Sequence, residues 1–378
     1  MIGLILALVD SVTNIFTDVA RKKILNMGYD VSVVSFGCKV ISCLFFILVI
    51  SGMHWFLDIP VLLPNFGALF NGSTLIVFFI YIIINSILEG AAVLLNLKAI
   101  QISPLSYCVP FLALTPLFLL PTGVLFLHEK VSLGMLVGVF LVVSGALIVN
   151  RGLFAQGWLE PVKAILNQKG SRYMLYVAGL LTATNLLDKW FLIASGDTSF
   201  SIRLMRAITL SFGKCFMLSI VFWLLIRNKS SNDSQLELKR SRIFSKQKIS
   251  QLLVMIRAVP SWLVIAGISE ALVLILQLTA LQYLVAALVI SIKRAGMVFA
   301  VFLGWFIFKE KNIKDRLVAS IVMTAGVLVF FISKPNQDGK LLIGNYGALA
   351  IACGVLLVAF FVLKNTKDEN ASIYEPNG

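Results

Sequence analysis

Long apolar runs follow one another along this chain with few breaks. Runs of roughly 18–25 residues, the length that crosses a bilayer, lie near 2–20, 31–53, 74–97, 104–127 and 132–150. Five more lie near 173–194, 200–226, 258–280, 284–308 and 315–333, and an eleventh near 341–363. The segment 54–73, broken by Pro60, Pro64 and Gly72, is too interrupted to span and is expected to form a loop at the interface. A linker at 151–171 separates the two groups of five, and 227–257 reads as a polar, basic loop with no core of its own. Asp10, Asn14 and Asp18 interrupt the first run, which has no small-residue cleavage site and is expected to be a retained helix.

The second group repeats the first. A shift of 181 residues superimposes Glu89 on Glu270, Gly123 on Gly304, Glu129 on Glu310 and Gly145 on Gly326. Ser35-Phe36-Gly37 returns as Ser211-Phe212-Gly213 at 176, and Thr13-Asn14 as Thr184-Asn185 at 171, so the offset drifts only with loop length. A repeat with an odd number of helices must enter the membrane from opposite sides in its two copies, which is the inverted-topology frame of secondary transporters. The expected fold is therefore all-α and membrane-integral. It consists of two inverted five-helix repeats, ten transmembrane helices at 1–150 and 172–335, with an eleventh helix and a tail at 336–378.

Composition agrees. With 59% hydrophobic residues, 13% charged and a mean hydropathy of +0.95, a soluble globular chain is excluded. The net charge of +14 lies in loops, where the positive-inside rule and anionic lipid account for it better than nucleic acid does. Odd-numbered loops hold Arg21, Lys22, Lys23, Lys98, Arg151, Lys163, Lys169 and Arg172. They also hold eight cations from Arg227 to Arg257, then Lys309, Lys311, Lys314 and Arg316. Even-numbered loops offer Lys130, Lys189, Lys334 and Lys340. The odd side is expected to be cytoplasmic, with the tail 364–378 on that side.

Candidate chemistry is sparse. Cys38, Cys43, Cys108, Cys215 and Cys353 have no metal-ligand spacing and read as packing residues, and His54 and His128 are the only histidines. No phosphate loop, nucleophile elbow or zinc-protease motif occurs, so no catalytic residue, metal or cofactor is assigned. Lys293-Arg294 stands out inside the apolar stretch Ile290–Lys311, because a cation near a bilayer centre costs roughly 2.5–3.5 kcal/mol on insertion scales and usually serves a function. Its counterparts at a shift of 181, Leu112 and Ala113, are uncharged. Lys39 and Lys214 stand within spans beside the same Phe-Gly landmark and are candidate cavity cations, whereas Arg203 and Arg206, near a helix end, are expected to be solvated.

Glu89 and Glu270, equivalent under the repeat, lie well inside their spans. A buried carboxylate either pairs with a cation or takes up a proton. They are read as a coupling-proton site or as counter-ions to Lys293-Arg294, with a static ion pair as the structural alternative. Asp10 is a weaker candidate of the same kind. Asn14, Asn185 and Asp188 either line a cavity or bond between helices. Pro110, Pro116 and Pro121 either hinge a gate or are ordinary membrane prolines. Gly123, Gly145, Gly304 and Gly326 are expected at close helix contacts, and Glu129 and Glu310 as anchors at helix-end corners.

The block LTPLFLLPTGVLFLHEKVSLGMLVGVFLVVSGALIV and its second copy, IKRAGMVFAVFLGWFIFKEKNIKDRLVASIVMTAGVLV, resemble the EamA-type drug/metabolite transporter superfamily. The resemblance covers roughly residues 1–335 and implies a ten-helix, alternating-access carrier or exporter; the eleventh helix departs from that pattern. The chain has a distant resemblance to triose-phosphate and nucleotide-sugar translocators, and Lys293-Arg294 resembles the adjacent pair with which triose-phosphate-type translocators clamp phosphate, Arg as a planar fork and Lys as a point charge. The further cation of that family's fourth helix has no counterpart in 104–127. The expected function is secondary transport of a small organic anion, phosphorylated or carboxylated. Lys293, Arg294, Lys214, Lys39, Asn14 and Asn185 are the expected substrate residues, and Glu89, Glu270 and Asp10 the coupling or counter-ion residues. The expected partners are a small-molecule substrate, a proton or counter-substrate, and lipid; the expected membrane is a bacterial inner or plasma membrane, with an organelle membrane as the alternative. The runner-up is an exporter of amino acids or amphiphilic drugs with Lys293-Arg294 structural; a membrane scaffold or receptor and a membrane-embedded enzyme stand behind it.

Overall fold

The fold is taken from a computed structural model, which describes residues 2–25, 27–57, 74–102, 112, 114–129, 131–148, 169–193, 199–226, 246–296, 313–333 and 344–364. Their secondary structure is helix without strand. In chain order the helices are α1 (Ile2–Leu25), α2 (Val31–Leu57), α3 (Thr74–Ile102), α4 (Leu114–Leu127), α5 (Leu133–Ile148) and α6 (Lys169–Ile193). They continue as α7 (Phe200–Leu225), α8 (Lys246–Ala258), α9 (Pro260–Leu281), α10 (Ala286–Ala295), α11 (Ile313–Ile332) and α12 (Asn345–Lys364). Six stretches are long and apolar enough to cross a membrane: Ile2–Leu25, Val31–Met53, Ile76–Asn96, Phe200–Leu225, Pro260–Leu281 and Tyr346–Leu363. Shorter apolar stretches occur at Thr115–Leu127, Leu133–Gly145 and Leu317–Ile332. The chain is thus an integral, multi-pass membrane protein.

Helix ends follow local chemistry. α1 runs five residues past the expected limit and closes in a turn at Gly28, whose φ of 85° suits glycine. Asp30 starts α2 by accepting the Ser32 N–H at 2.8 Å, and Ser132 starts α5 by accepting that of Met135 at 3.2 Å. A second boundary differs from the sequence expectation. The end of the basic loop is helical: α8 buries Met255 and half-buries Leu252 while Leu253, Val254 and Ile256 face outward. The expected span 284–308 is described only as far as α10, Ala286–Ala295, and Gly296. Residues 297–312, with Gly304, Lys309, Glu310 and Lys311, lie outside the described residues, as do Pro110, Cys108 and most of 54–73.

The chain divides into two compact units, each drawing on both sequence halves. One comprises residues 1–12, 91–193 and 280–378; the other comprises 13–90 and 194–279. In the first unit α5 and α11 pack closely through glycine. A Cβ on Gly326 would stand 2.7 Å from the Gly138 carbonyl oxygen, and one on Gly145 would stand 2.7 Å from that of Ala319. Ascending numbers on α5 meet descending numbers on α11, so the two helices run antiparallel. At the 181-residue offset Gly145 corresponds to Gly326 and Gly138 to Ala319, so these two contacts are equivalents of each other. Gly145 and Gly326 therefore sit at close helix contacts, where the missing side chain lets backbones approach. α12 lays Ala348, Ala352 and Ala359 against α5 and α11.

The second unit shows the same relation. Phe36, early in α2, meets Trp223, late in α7, with ring centroids 5.0 Å apart; Phe46 shares a cluster with Ile208, early in α7. These helices too run antiparallel. A Cβ on Gly37 would stand 3.2 Å from Leu263 on α9, and one on Gly213 would stand 3.0 Å from Ile82 on α3. The offsets map Gly37 to Gly213 and Ile82 to Leu263. α2 thus packs on α9 as α7 packs on α3.

Candidate functional site

The second unit encloses a group of five charges. Lys39 Nζ stands 2.9 Å from Glu270 Oε1 and 3.6 Å from Glu89 Oε1, and Lys214 Nζ stands 3.1 Å from Glu89 Oε2. Arg21 Nη2 reaches Glu270 Oε1 at 2.6 Å. Lys39, Lys214 and Glu270 are buried, whereas Arg21 keeps 31% of its side chain exposed and marks the open edge of the group. Beside it Thr17 donates to Ser269 at 2.9 Å, and Ser42 to the Gly267 carbonyl at 2.8 Å, binding α1 and α2 to α9.

The sequence offsets relate much of this geometry across the two halves. Each half supplies an acid, Glu89 or Glu270, and a lysine from the helix carrying its Ser-Phe-Gly landmark. Each lysine meets the acid of the opposite half. The lysines are not strict counterparts: the 176-residue offset places Cys215 at the position of Lys39 and Cys38 at that of Lys214. Neighbouring side chains on a helix diverge by about 100°, and the long lysine stem bridges that difference. Arg21 has no cationic counterpart, because Leu192 stands at the 171-residue offset. Among the described residues Arg21, Lys39 and Lys214 thus gather at Glu89 and Glu270, and exposed Asp18, one turn before Arg21 on α1, adds its charge beside Arg21.

The first unit holds two smaller groups. Glu129 pairs with Lys189 through Oε1, which also accepts the Ala286 N–H at 3.2 Å, while Lys189 donates to the Leu284 carbonyl. The carboxylate thus sits at the α10 N-terminus, where the helix dipole favours it. His128, at φ 53°, turns the corner that presents Glu129. At the other end of α10, Lys293 stands 3.7 Å from Asp10, which is fully buried. Ser11 donates to the Ile292 carbonyl at 3.2 Å, beside Gly296, which has no side chain to exclude it. Lys293 and half-buried Arg294 occupy the last turn of α10, where cations complement the carbonyl end.

Several expectations meet a different arrangement. The cations set against Glu89 and Glu270 are Lys39, Lys214 and Arg21, while the acid set against Lys293 is Asp10. Arg206, expected in solvent, is 3% exposed, because the apolar face of α7 continues through it. Lys189, counted among loop cations, is buried within α6. Asn14 bonds along its own helix to Asp18 at 3.1 Å, and Asn185 donates to the Leu181 carbonyl one turn back. Asn185 and Asp188 are both buried. Cys38, Cys43 and Cys215 are buried and free, and Cys353 is exposed.

Arg21 and Lys189 were missed for different reasons. The first apolar run was ended at its first cation although Gly28 is the stop signal. Lys189 fell inside the apolar run 173–194 that should have claimed it.

A comparison with curated proteins gives no match. Residues 1–151 match the model of the EamA-like transporter family, so this part of the multi-pass membrane chain is similar to EamA-type drug/metabolite transporters.

Proposed function

We propose that the chain is a secondary transporter that carries a small organic anion, phosphorylated or carboxylated, by alternating access and releases it unchanged. The observation that carries this reading is the convergence of three cations, Arg21, Lys39 and Lys214, in one group inside the second unit. Like charges gathered at low dielectric repel one another, a cost that an entering anion relieves. The proposed frame is two inverted five-helix repeats at 1–150 and 172–335, joined by 151–171 and followed by an eleventh helix. Its support is that repeat-equivalent helices, α2 with α7 and α5 with α11, pack antiparallel, and that the offsets map the α5–α11 glycine contacts onto each other and the α2–α9 contact onto the α7–α3 contact. Lys39 and Lys214 bind the anion, with Lys293 and Arg294 as a further cationic pair and Asn14 and Asn185 as polar neighbours. Glu89, Glu270 and Asp10 are the acids available for a coupled proton or for exchange against a counter-substrate. A bacterial inner or plasma membrane is favoured over an organelle membrane.

Uptake of labelled solutes into proteoliposomes tests this. Anions are expected to accumulate, and Lys39→Met to reduce the rate by about 10-fold or more, in line with the loss of one buried charge contact. Transport of neutral or cationic amphiphiles without anions would sink the reading.

The second reading is an exporter of amino acids or amphiphilic drugs in which Lys293 is structural. The 3.7 Å approach of Lys293 to buried Asp10 favours it. Thermal shifts against an anion panel separate the two: stabilisation that vanishes in Lys293→Ala and Arg294→Ala supports a binding role for the pair, and unchanged shifts support the structural one.

A further inference from the structure

We infer that the Arg21–Glu270 edge recognises a monocarboxylate that carries a hydrogen-bond donor beside its carboxylate, a 2-hydroxy acid being the simplest form. The inference rests on the anion-carrier reading and narrows its substrate class. Arginine and a carboxylate ordinarily meet as a two-pronged fork that uses both oxygens. Here Arg21 Nη2, at 2.6 Å, and Lys39 Nζ, at 2.9 Å, both converge on Glu270 Oε1. Glu270 Oε2 and Arg21 Nε are buried and have no hydrogen-bond partner. A buried polar atom of this kind is costly, so a ligand that satisfies both gains from each.

The two atoms specify complementary groups on one ligand. Arg21 Nε–H needs an acceptor, and Glu270 Oε2, on a side chain 9% exposed, needs a donor. Glu89 differs, because its two oxygens face Lys39 and Lys214. A ligand whose carboxylate meets Arg21 and whose hydroxyl donates to Glu270 fills both needs. The partial exposure of Arg21 gives the ligand its approach. Arg21, absent from the repeat, is the specificity residue beside the anion-binding Lys39 and Lys214, whose pairs with the glutamates also position Glu270.

The test is equilibrium binding to the purified full chain in lipid nanodiscs, with lactate, propionate and lactamide as probes. Lactate is expected to bind about 10-fold or more tighter than propionate, the worth of one charge-assisted hydrogen bond, and lactamide not measurably. Arg21→Gln is expected to lose both acids. Glu270→Gln is expected to keep acid binding but to bind lactate and propionate equally. Each variant is compared at an unfolding midpoint measured without ligand, and Arg21→Lys serves as a second variant that keeps the charge and lacks Nε–H; it is expected to weaken both acids less than Arg21→Gln does. Equal binding of lactate and propionate by the unmodified chain, no binding of either, or unaltered lactate binding by Arg21→Gln overturns the inference. Uptake of other anions that is indifferent to Arg21→Gln would remove this site and leave the carrier reading intact. Lactate binding with no uptake of any solute would do the reverse.

Discussion

The Glu129–Lys189 group and the Arg21–Lys39–Lys214–Glu89–Glu270 group both set lysine against glutamate inside apolar helices. In the first, one acid meets one base, and the backbone supplies the Ala286 N–H to the carboxylate and the Leu284 carbonyl to the ammonium. In the second, three bases gather at two acids, and Glu270 Oε1 takes two cations. Glu129 and Glu270 each keep Oε2 buried without a hydrogen-bond partner, but the second group adds an unused donor, Arg21 Nε. A pair closed by main-chain partners braces a fold. An unused donor beside an unused acceptor suits a ligand that comes and goes.

The largest expected effect strikes the brace. Lys189→Met leaves Glu129 buried without its cation and should lower stability by roughly 3–5 kcal/mol, whereas adding Glu129→Leu should recover most of it. Unfolding in detergent measures both, and a single variant as stable as the parent would end the distinction. Lys39→Met should cost less, roughly 1–3 kcal/mol, because Arg21 still serves Glu270 and Lys214 still serves Glu89. A loss equal to that of Lys189→Met would make the second group a brace as well. Gly326→Val, aimed at backbone atoms of α5, should cost roughly 1–3 kcal/mol through overpacking, while Gly354→Val on α12, with open space around it, should change little. The smallest effect belongs to Leu253→Ser on the outward face of α8, expected within about 0.5 kcal/mol in detergent.

Much of this fold is legible in the sequence. The apolar runs from residue 31 to 53 and from 200 to 226 become α2 and α7 almost unchanged, because a helix that leaves no backbone group unpaired is what such a run forms in lipid. The repeat is legible too, since Gly37 and Gly213 keep equivalent neighbours. Helix ends were harder, as α1 past residue 20 and α8 show: a few polar residues do not end a helix whose other face is packed. Ile24 and Met255, both fully buried, are what extend those two elements.

The sequence by itself determined that the chain lives in a membrane, that landmark residues of its first half recur in its second at offsets of 171–181, and that a handful of charges had to be accommodated among apolar helices. These follow from composition and residue order, which fix the transfer energy of each segment. Only the tertiary structure decided which charges meet. Coulombic attraction at low dielectric depends on separations of a few ångströms, and no spacing along the chain encodes that Glu270 meets Arg21 and Lys39 while Lys293 meets Asp10.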